Sequence, residues 1–356
     1  MLTIIFGAGA SYDSAPSHRT EENGDWHQYP FRPPLADHLF QERPLFAEVC
    51  RKFPRLWPLI PELRHLDSGT SVEHQLEKLR GQTAELPYVK KQLAAVRFYL
   101  QWVIWECQRM WDDGTTKGVT NYATLLNHVE RHRRGEPVCL VTFNYDTLLE
   151  QAFASINRKF SSIDAYVTGN DYLLFKLHGS VNWVHDLNSS VPMNSDKVVL
   201  ANQIVEADNV DVSDRFHVAP ENLSPPPCVS SMSIPGKAGL QPVFPAISIP
   251  VLTKNQFECP STHVNLLKKL ISQTDKLVMI GWRGAEENFV DLLCKGVLFH
   301  KKIPILVVSG SKDGANRVVS KFQKLPIMQQ SWQVAEGGFT DIILSRGIED
   351  FIISQI

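Results

Sequence analysis

Five short apolar runs, each closed at its carboxyl end by glycine or a polar residue, constrain this chain more than any other feature. They are Leu2 to Phe6 before Gly7-Ala8-Gly9-Ala10-Ser11, Val138 to Phe143 before Asn144 and Asp146, Tyr172 to Leu177 before His178-Gly179-Ser180, Lys276 to Ile280 before Gly281, and Ile303 to Val308 before Ser309-Gly310. Runs that are apolar throughout, rather than at alternate positions, suit strands covered on both faces, as in parallel sheets flanked by helices. In an open α/β sheet, ligands bind in the crevice at the carboxyl ends of the strands, so topology brings these polar residues together. The expected fold is α/β, a Rossmann-like open parallel sheet within a single domain spanning residues 1–356.

About 130 residues separate the first two runs, too many for a plain crossover, and they read mostly as helix. The expectation is an inserted helical module over residues 30–135. Its clearest element runs from Tyr88 to Met110, where Val89, Leu93, Val96, Leu100, Val103, Cys107 and Met110 recur at steps of three and four. That face suits packing in a core or against another subunit. A following helix, Tyr122 to His132, ends in Arg131, His132, Arg133 and Arg134 before Gly135, the ordinary cationic finish of a helix and a weaker hint of phosphate binding. Residues 205–250 hold Pro225, Pro226, Pro227, Pro235, Pro242, Pro245 and Pro250 and read as a proline-rich loop or lid. Phe339 to Leu344 reads as a last strand and Gly347 to Ile352 as a docking helix.

Composition removes several function classes. Lys plus Arg is 36 against 38 Asp plus Glu, a net charge of −2, so no global basic field favours generic nucleic-acid binding. The apolar stretch Phe98 to Trp105 is bracketed by Arg97 and Glu106 and is far shorter than the roughly 20 residues a bilayer needs, so no transmembrane helix is expected. The start lacks the basic region and cleavage site of a signal peptide, and a cytosolic location is expected. The six cysteines form no Cys-x-x-Cys pair, so neither a zinc module nor a dense disulfide framework is indicated.

Gly7 to Ser11 offers backbone amides where a strand turns into a helix, with small residues that let a pyrophosphate approach. Two glycines there can equally serve packing alone. The dehydrogenase form of this turn calls for a second strand ending in an acid about 20 positions on, and none follows; Glu21, Glu22 and Asp25 stand in a polar stretch instead. Asn144 and Asp146 alternate by two, so an extended backbone turns both toward the crevice, where an amide and a carboxylate could grip a ribose and a carboxamide. The alternative is that they cap the helix begun by Thr147, Leu148 and Leu149. His178 is either a structural residue or a base suited to neutral pH.

FGAGAS near the start, then TFNYDTLLE, KLHGSVNW and VMIGWRGAEENFVDLL together resemble the sirtuin-like family, especially its bacterial NAD-hydrolysing branch linked to antiphage defence. The resemblance implies that Gly7, Ala8, Gly9, Ala10 and Ser11 bind the NAD pyrophosphate. It implies that Asn144 and Asp146 hold the nicotinamide ribose and water, and that His178 is catalytic. Gly281 and Ser309 would line the adenosine half. The zinc module of sirtuin deacylases, built from two cysteine pairs, has no counterpart here, so protein deacylation is disfavoured and no metal is expected.

The implied reaction is hydrolysis of the nicotinamide–ribose bond of NAD to nicotinamide and ADP-ribose. An always-active enzyme of this kind would exhaust its own cell, so gating by self-assembly or by a partner is expected. Families similar to this one occur with partners that include HerA-type ATPases, and a homo-oligomer is the other expectation. The competing readings are a module that binds NAD or ADP-ribose without cleaving it, and an NAD-dependent protein deacylase.

Overall fold

The computed structural model describes residues 1–16, 27–66, 70–208, 210–219, 229–251 and 257–354. Glu21, Glu22, Asp25, Pro225, Pro226 and Pro227 lie outside the described residues. Among the described residues the ten strands are β1 (Leu2–Phe6), β2 (Val138–Thr142), β3 (Tyr172–Lys176), β4 (Gly179–Leu187), β5 (Val212–Val218), β6 (Ser231–Ser233), β7 (Leu240–Ile247), β8 (Lys276–Ile280), β9 (Pro304–Val308) and β10 (Ser331–Ala335). Six of them form one parallel sheet in the order β10-β9-β8-β1-β2-β3. This is the doubly wound Rossmann order, and the chain reverses direction across the sheet between β1 and β8. All five apolar runs are strands of this sheet, and their carboxyl ends share one edge.

Two corrections concern the sixth strand. Phe339 to Leu344 is helical, within Gly338–Leu344, because Phe339, Ile342 and Ile343 bury at helical spacing. The last strand is instead β10, an edge strand whose Ser331, Gln333 and Val334 are exposed, so it lacks the continuous apolar run of the others.

A second, antiparallel sheet has the order β5-β4-β7-β6. Its strands β5, β6 and β7 lie inside residues 205–250, so that segment is not a continuous loop. Pro242 and Pro245 sit within β7, a central strand, opposite Ser231 of β6 and Val184 of β4. The register with β4 shifts between Gly179 and Val184, and this irregularity accommodates a residue that has no amide to donate.

Between β1 and β2 the described residues form helices that divide between two cores. The helix Asn121–His132 covers the parallel sheet with Tyr122, Leu125, Leu126 and Val129. The segments Pro44–Arg51 and Val72–Gly81 pack with the long helix Pro87–Trp111 into a second core, which includes Val181, Ile204, Phe244 and Ile247 from around the antiparallel sheet. Pro87 starts the long helix at a position where a missing amide costs nothing. Phe98 at its centre is fully buried and meets Phe244 edge to face, with centroids 5.5 Å apart, and burying such a ring is worth about 2 to 3 kcal/mol. The apolar face that suggested an assembly surface is therefore packed inside the chain. Two residues of the basic cluster Arg131 to Arg134 meet acids: Arg133 bridges Glu130 and Asp171, and His132 meets Glu349. No helix among the described residues is long and apolar enough to cross a membrane.

Candidate active site

The turn after β1 is shaped by its contact with the turn after β8. Gly7 donates its amide to the Ile280 carbonyl at 3.0 Å, and Gly9 donates to the Gly281 carbonyl at 3.1 Å. Gly281 has φ of 61°, and a side chain there would stand 2.3 Å from the Ala10 nitrogen. One at Gly7 would stand 2.5 Å from the Gly281 carbonyl. Close backbone packing at the switch point thus accounts for these glycines on its own. The helix that follows, Ala8–Tyr12, has five residues.

Ser11, from that helix, is where the first turn meets the second. Its hydroxyl lies 2.9 Å from the Tyr122 hydroxyl, and the Asn144 amide donates to Ser11 Oγ at 2.9 Å and to Tyr122 Oη at 3.2 Å. Asn144 is itself fixed through its backbone amide on Thr142 Oγ1 at 3.1 Å. Its side-chain nitrogen is thereby used, while its buried carbonyl oxygen Oδ1 has no hydrogen-bond partner among the described residues. An orphaned buried acceptor is uncommon and marks a place where a donor from a ligand or water would fit. Tyr122 is a neutral phenol here: burial pushes its pKa well up and the Asp146 charge adds to this, against the bonds from Ser11 and Asn144.

Asp146 stands one residue before Thr147, the N-cap of the next helix, Leu148–Ala152, and its carboxylate accepts the Leu148 amide at 3.1 Å. Its backbone carbonyl accepts from Lys176 Nζ, which also pairs with Glu150 Oε1 at 2.9 Å inside the protein. Thr147, the residue just before that helix, is held by a different element. Gln108 of the long helix accepts the Thr147 amide at 2.7 Å and donates to Thr147 Oγ1 at 2.8 Å.

His178 follows β3, and its ring is buried between Phe143 and Tyr145, at 4.9 and 6.1 Å. Nδ1 lies 3.2 Å from the Phe143 carbonyl. The residues around it are pinned: Ser248 donates to the His178 carbonyl and Val181 to the Tyr145 carbonyl, both at 2.9 Å. Gly179 has φ of 76°, and a side chain there would run into the Ala246 carbonyl at 1.9 Å. On the far side Glu286 Oε1 lies 3.8 Å from His178 Nε2. Burial pushes the Tyr145 phenol up, and the carboxylates of Glu73 and Glu286 push it further.

Ser309 follows β9, whose Val308 carbonyl accepts the Gly281 amide at 3.0 Å. The Ser309 amide donates to Ala335 and its carbonyl accepts from Gly338, next to Asp13, whose carboxylate accepts the Thr340 amide and hydroxyl. The structure thus joins Ser11 to Asn144 and the glycine turn to Gly281, with His178 on the backbone next to Asn144, while Ser309 borders the opposite end of the Ala8–Tyr12 helix. Glu286, Tyr122 and Gln108 were not singled out from sequence. Only the motif GWRGAEENF hinted at Glu286, whereas Tyr122 and Gln108 read simply as helix residues. Arg32 is another such residue, buried among the rings of Tyr12, Tyr29 and Trp111.

Beneath the His178 turn, Glu258 donates its amide to Leu177 and its carboxylate meets His185 Nε2 at 2.6 Å and Arg97 Nη1 at 3.2 Å. Burial pushes this carboxyl up, but the Arg97 charge and the His185 bond outweigh it and hold the pKa at about 2. A carboxyl held below its unfolded value stabilises the fold above the unfolded pKa and loses that contribution as pH falls toward the folded one. From pH 6 to pH 3 this group is expected to withdraw about 2 kcal/mol. Urea unfolding of wild type and Glu258→Gln at both pH values checks it: the variant should show the smaller loss, and equal losses would refute the assignment.

Among known proteins, a likeness to one family covers the middle of the chain. Residues 138–209 match the SIR2-like domain. This segment carries β2, β3 and β4, and with them Asn144, Asp146 and His178. Solved structures similar to the chain include a mutant Sir2 homologue complexed with 2'-O-acetyl ADP ribose, at 12% identity over 100% of this chain and 94% of that one, with a TM-score of 0.43. Two others are a Sir2 homolog–NAD complex, at 12% identity, 98% and 90% coverage and a TM-score of 0.38, and Sir2Tm bound to a propionylated peptide, at 11%, 99% and 94%, and 0.39. No curated protein matches the chain.

Proposed function

We propose that this protein hydrolyses the nicotinamide–ribose bond of NAD, giving nicotinamide and ADP-ribose. The observation that carries the reading is Asn144 in the SIR2-like segment, its amide spent on Ser11 and Tyr122 and its buried carbonyl left to accept a donor. A ribose hydroxyl or a water supplies such a donor. As the glycosidic bond breaks, its electron pair returns to the pyridinium nitrogen and nicotinamide leaves neutral, so no acid is needed to protonate it. An oxocarbenium-like centre develops on the ribose. Water attacks its C1 carbon and gives up a proton to His178, while Asn144 and Asp146 orient ribose and water. In this reading the Gly7 to Ser11 turn meets the pyrophosphate, with Gly281 and Ser309 toward the adenosine.

The groups assigned to the chemistry are nearly all covered: His178 is 2% exposed and Asn144 and Asp146 are 6% exposed. A site closed in this way suits an enzyme gated by self-assembly or by a partner, in keeping with an NAD-depleting effector of antiphage defence. The test is to incubate the purified chain with NAD and follow nicotinamide and ADP-ribose by chromatography. Release of both without any added peptide is expected. Release only with an acylated peptide would replace this reading with a deacylase, and NAD binding without product, persisting in every oligomeric form, would replace it with a binding module.

A further inference from the structure

The assignment of His178 as base leaves open what makes a buried imidazole a competent proton acceptor. Removing a histidine from water disfavours its charged form, so burial alone weakens it as a base. The structure supplies a counter-charge from a different strand. Glu286, in the turn between β8 and the helix Glu287–Leu293, is 8% exposed, and its Oε1 lies 3.8 Å from His178 Nε2. Its other oxygen, Oε2, accepts from Trp282 Nε1 at 2.6 Å, and this bond is buried. Trp282 is fixed in turn: its ring stacks on Phe143 at 5.5 Å with an interplanar angle of 9°, and Phe143 also packs against the His178 ring.

We propose that Glu286 is the positioning carboxylate of His178, oriented by Trp282, and that it stabilises the imidazolium formed when His178 takes up a proton. With Nδ1 facing the Phe143 carbonyl, the imidazole presents Nε2 toward Glu286. The 3.8 Å separation exceeds a direct hydrogen bond. It leaves the two acceptors spaced so that one hydroxyl or water can lie against both. When Nε2 gains the proton, the imidazolium lies beside a carboxylate that the Trp282 indole already holds in place. The other groups facing this region are Tyr145, whose ring lies 6.1 Å from that of His178, and around Tyr145 the carboxylates Glu73 and Glu258 and the cation Arg97. Arg97 pairs with Glu258, which also holds His185, so among the described residues Glu286 is the carboxylate placed directly against His178.

This inference rests on the reading of His178 as the base, yet its first test needs no turnover. In the intact chain with ring-labelled histidine, the His178 pKa is followed by NMR in wild type, Glu286→Gln and Glu286→Asp. Wild type is expected at or above the ordinary value near 6.5 in spite of burial, Glu286→Gln about one unit or more lower, and Glu286→Asp close to wild type. A wild-type value clearly below 6, or a His178 pKa unmoved in Glu286→Gln, overturns the proposal. The wild-type value decides the matter even where a variant fails to fold. In the NAD assay, Glu286→Gln should lower kcat at least tenfold with KM within about threefold, and move the acidic limb of the pH profile downward. Absence of NAD cleavage by wild type would refute the hydrolase reading and leave the NMR test standing.

Discussion

Replacing His178 with alanine is expected to lower nicotinamide release from NAD by roughly a hundred- to ten-thousandfold while the chain stays folded. The ring is buried between Phe143 and Tyr145, with Nδ1 against the Phe143 carbonyl and Nε2 3.8 Å from Glu286, so alanine leaves apolar neighbours, one carbonyl and one carboxylate to relax. That should cost about 1 to 3 kcal/mol of stability, short of unfolding. Asn144→Ala is the instructive comparison. Ser11 and Tyr122 keep their hydrogen bond to each other, so the fold loses little, but the orphaned acceptor is gone and the ribose loses its orientation. Circular dichroism beside the chromatographic assay reads both. A folded His178→Ala protein that turns over NAD at the wild-type rate would end its assignment as base.

The largest effect on stability is expected from Lys176→Met. Lys176 is fully buried, pairs with Glu150 Oε1 at 2.9 Å, and reaches the Asp146 carbonyl. Burial already pushes the Glu150 carboxyl up, with Lys176 opposing it. Without the ammonium an uncompensated carboxylate is left inside, at a cost of about 3 to 5 kcal/mol near pH 7. The sign of the pH dependence follows. A carboxyl whose folded pKa lies above its unfolded one destabilises the fold in its charged form, so the deficit of the variant should shrink as pH falls and Glu150 takes a proton. Urea unfolding at pH 7 and pH 5 measures this, and the double variant Lys176→Met with Glu150→Gln should recover most of the loss. A deficit under about 1 kcal/mol at pH 7 would refute it.

What could be read from the sequence was what depends on neighbours along the chain. The strands β1, β2, β3, β8 and β9 are apolar throughout because both faces of each are covered, and that pattern needs no tertiary knowledge. Edge strand β10, with polar residues outward, carried no such mark; β7 was hidden by its own Pro242 and Pro245, and β5 and β6 by the prolines of the segment around them. Within the site, Asn144, Asp146 and His178 stood out because each follows an apolar run. Glu286, Tyr122 and Gln108 reach the same place from elements far away in sequence, and only the strand order tells which of the many glutamates, tyrosines and glutamines arrive there.

The long helix Pro87–Trp111 belongs to the second core, yet its Gln108 grips Thr147 beside the SIR2-like turn and its Gln101 donates to the Val181 carbonyl at 3.1 Å. The second core also draws in Ile204, Phe244 and Ile247 from beyond the first four strands. The protein is therefore not severable. A cut anywhere between Thr116 and Asn144 would part the helix from the turn it braces, and a cut after β4 would part that helix from Ile204, Phe244 and Ile247. Whatever acts on the module, whether a neighbouring subunit or a nick in the backbone, acts on the machinery itself.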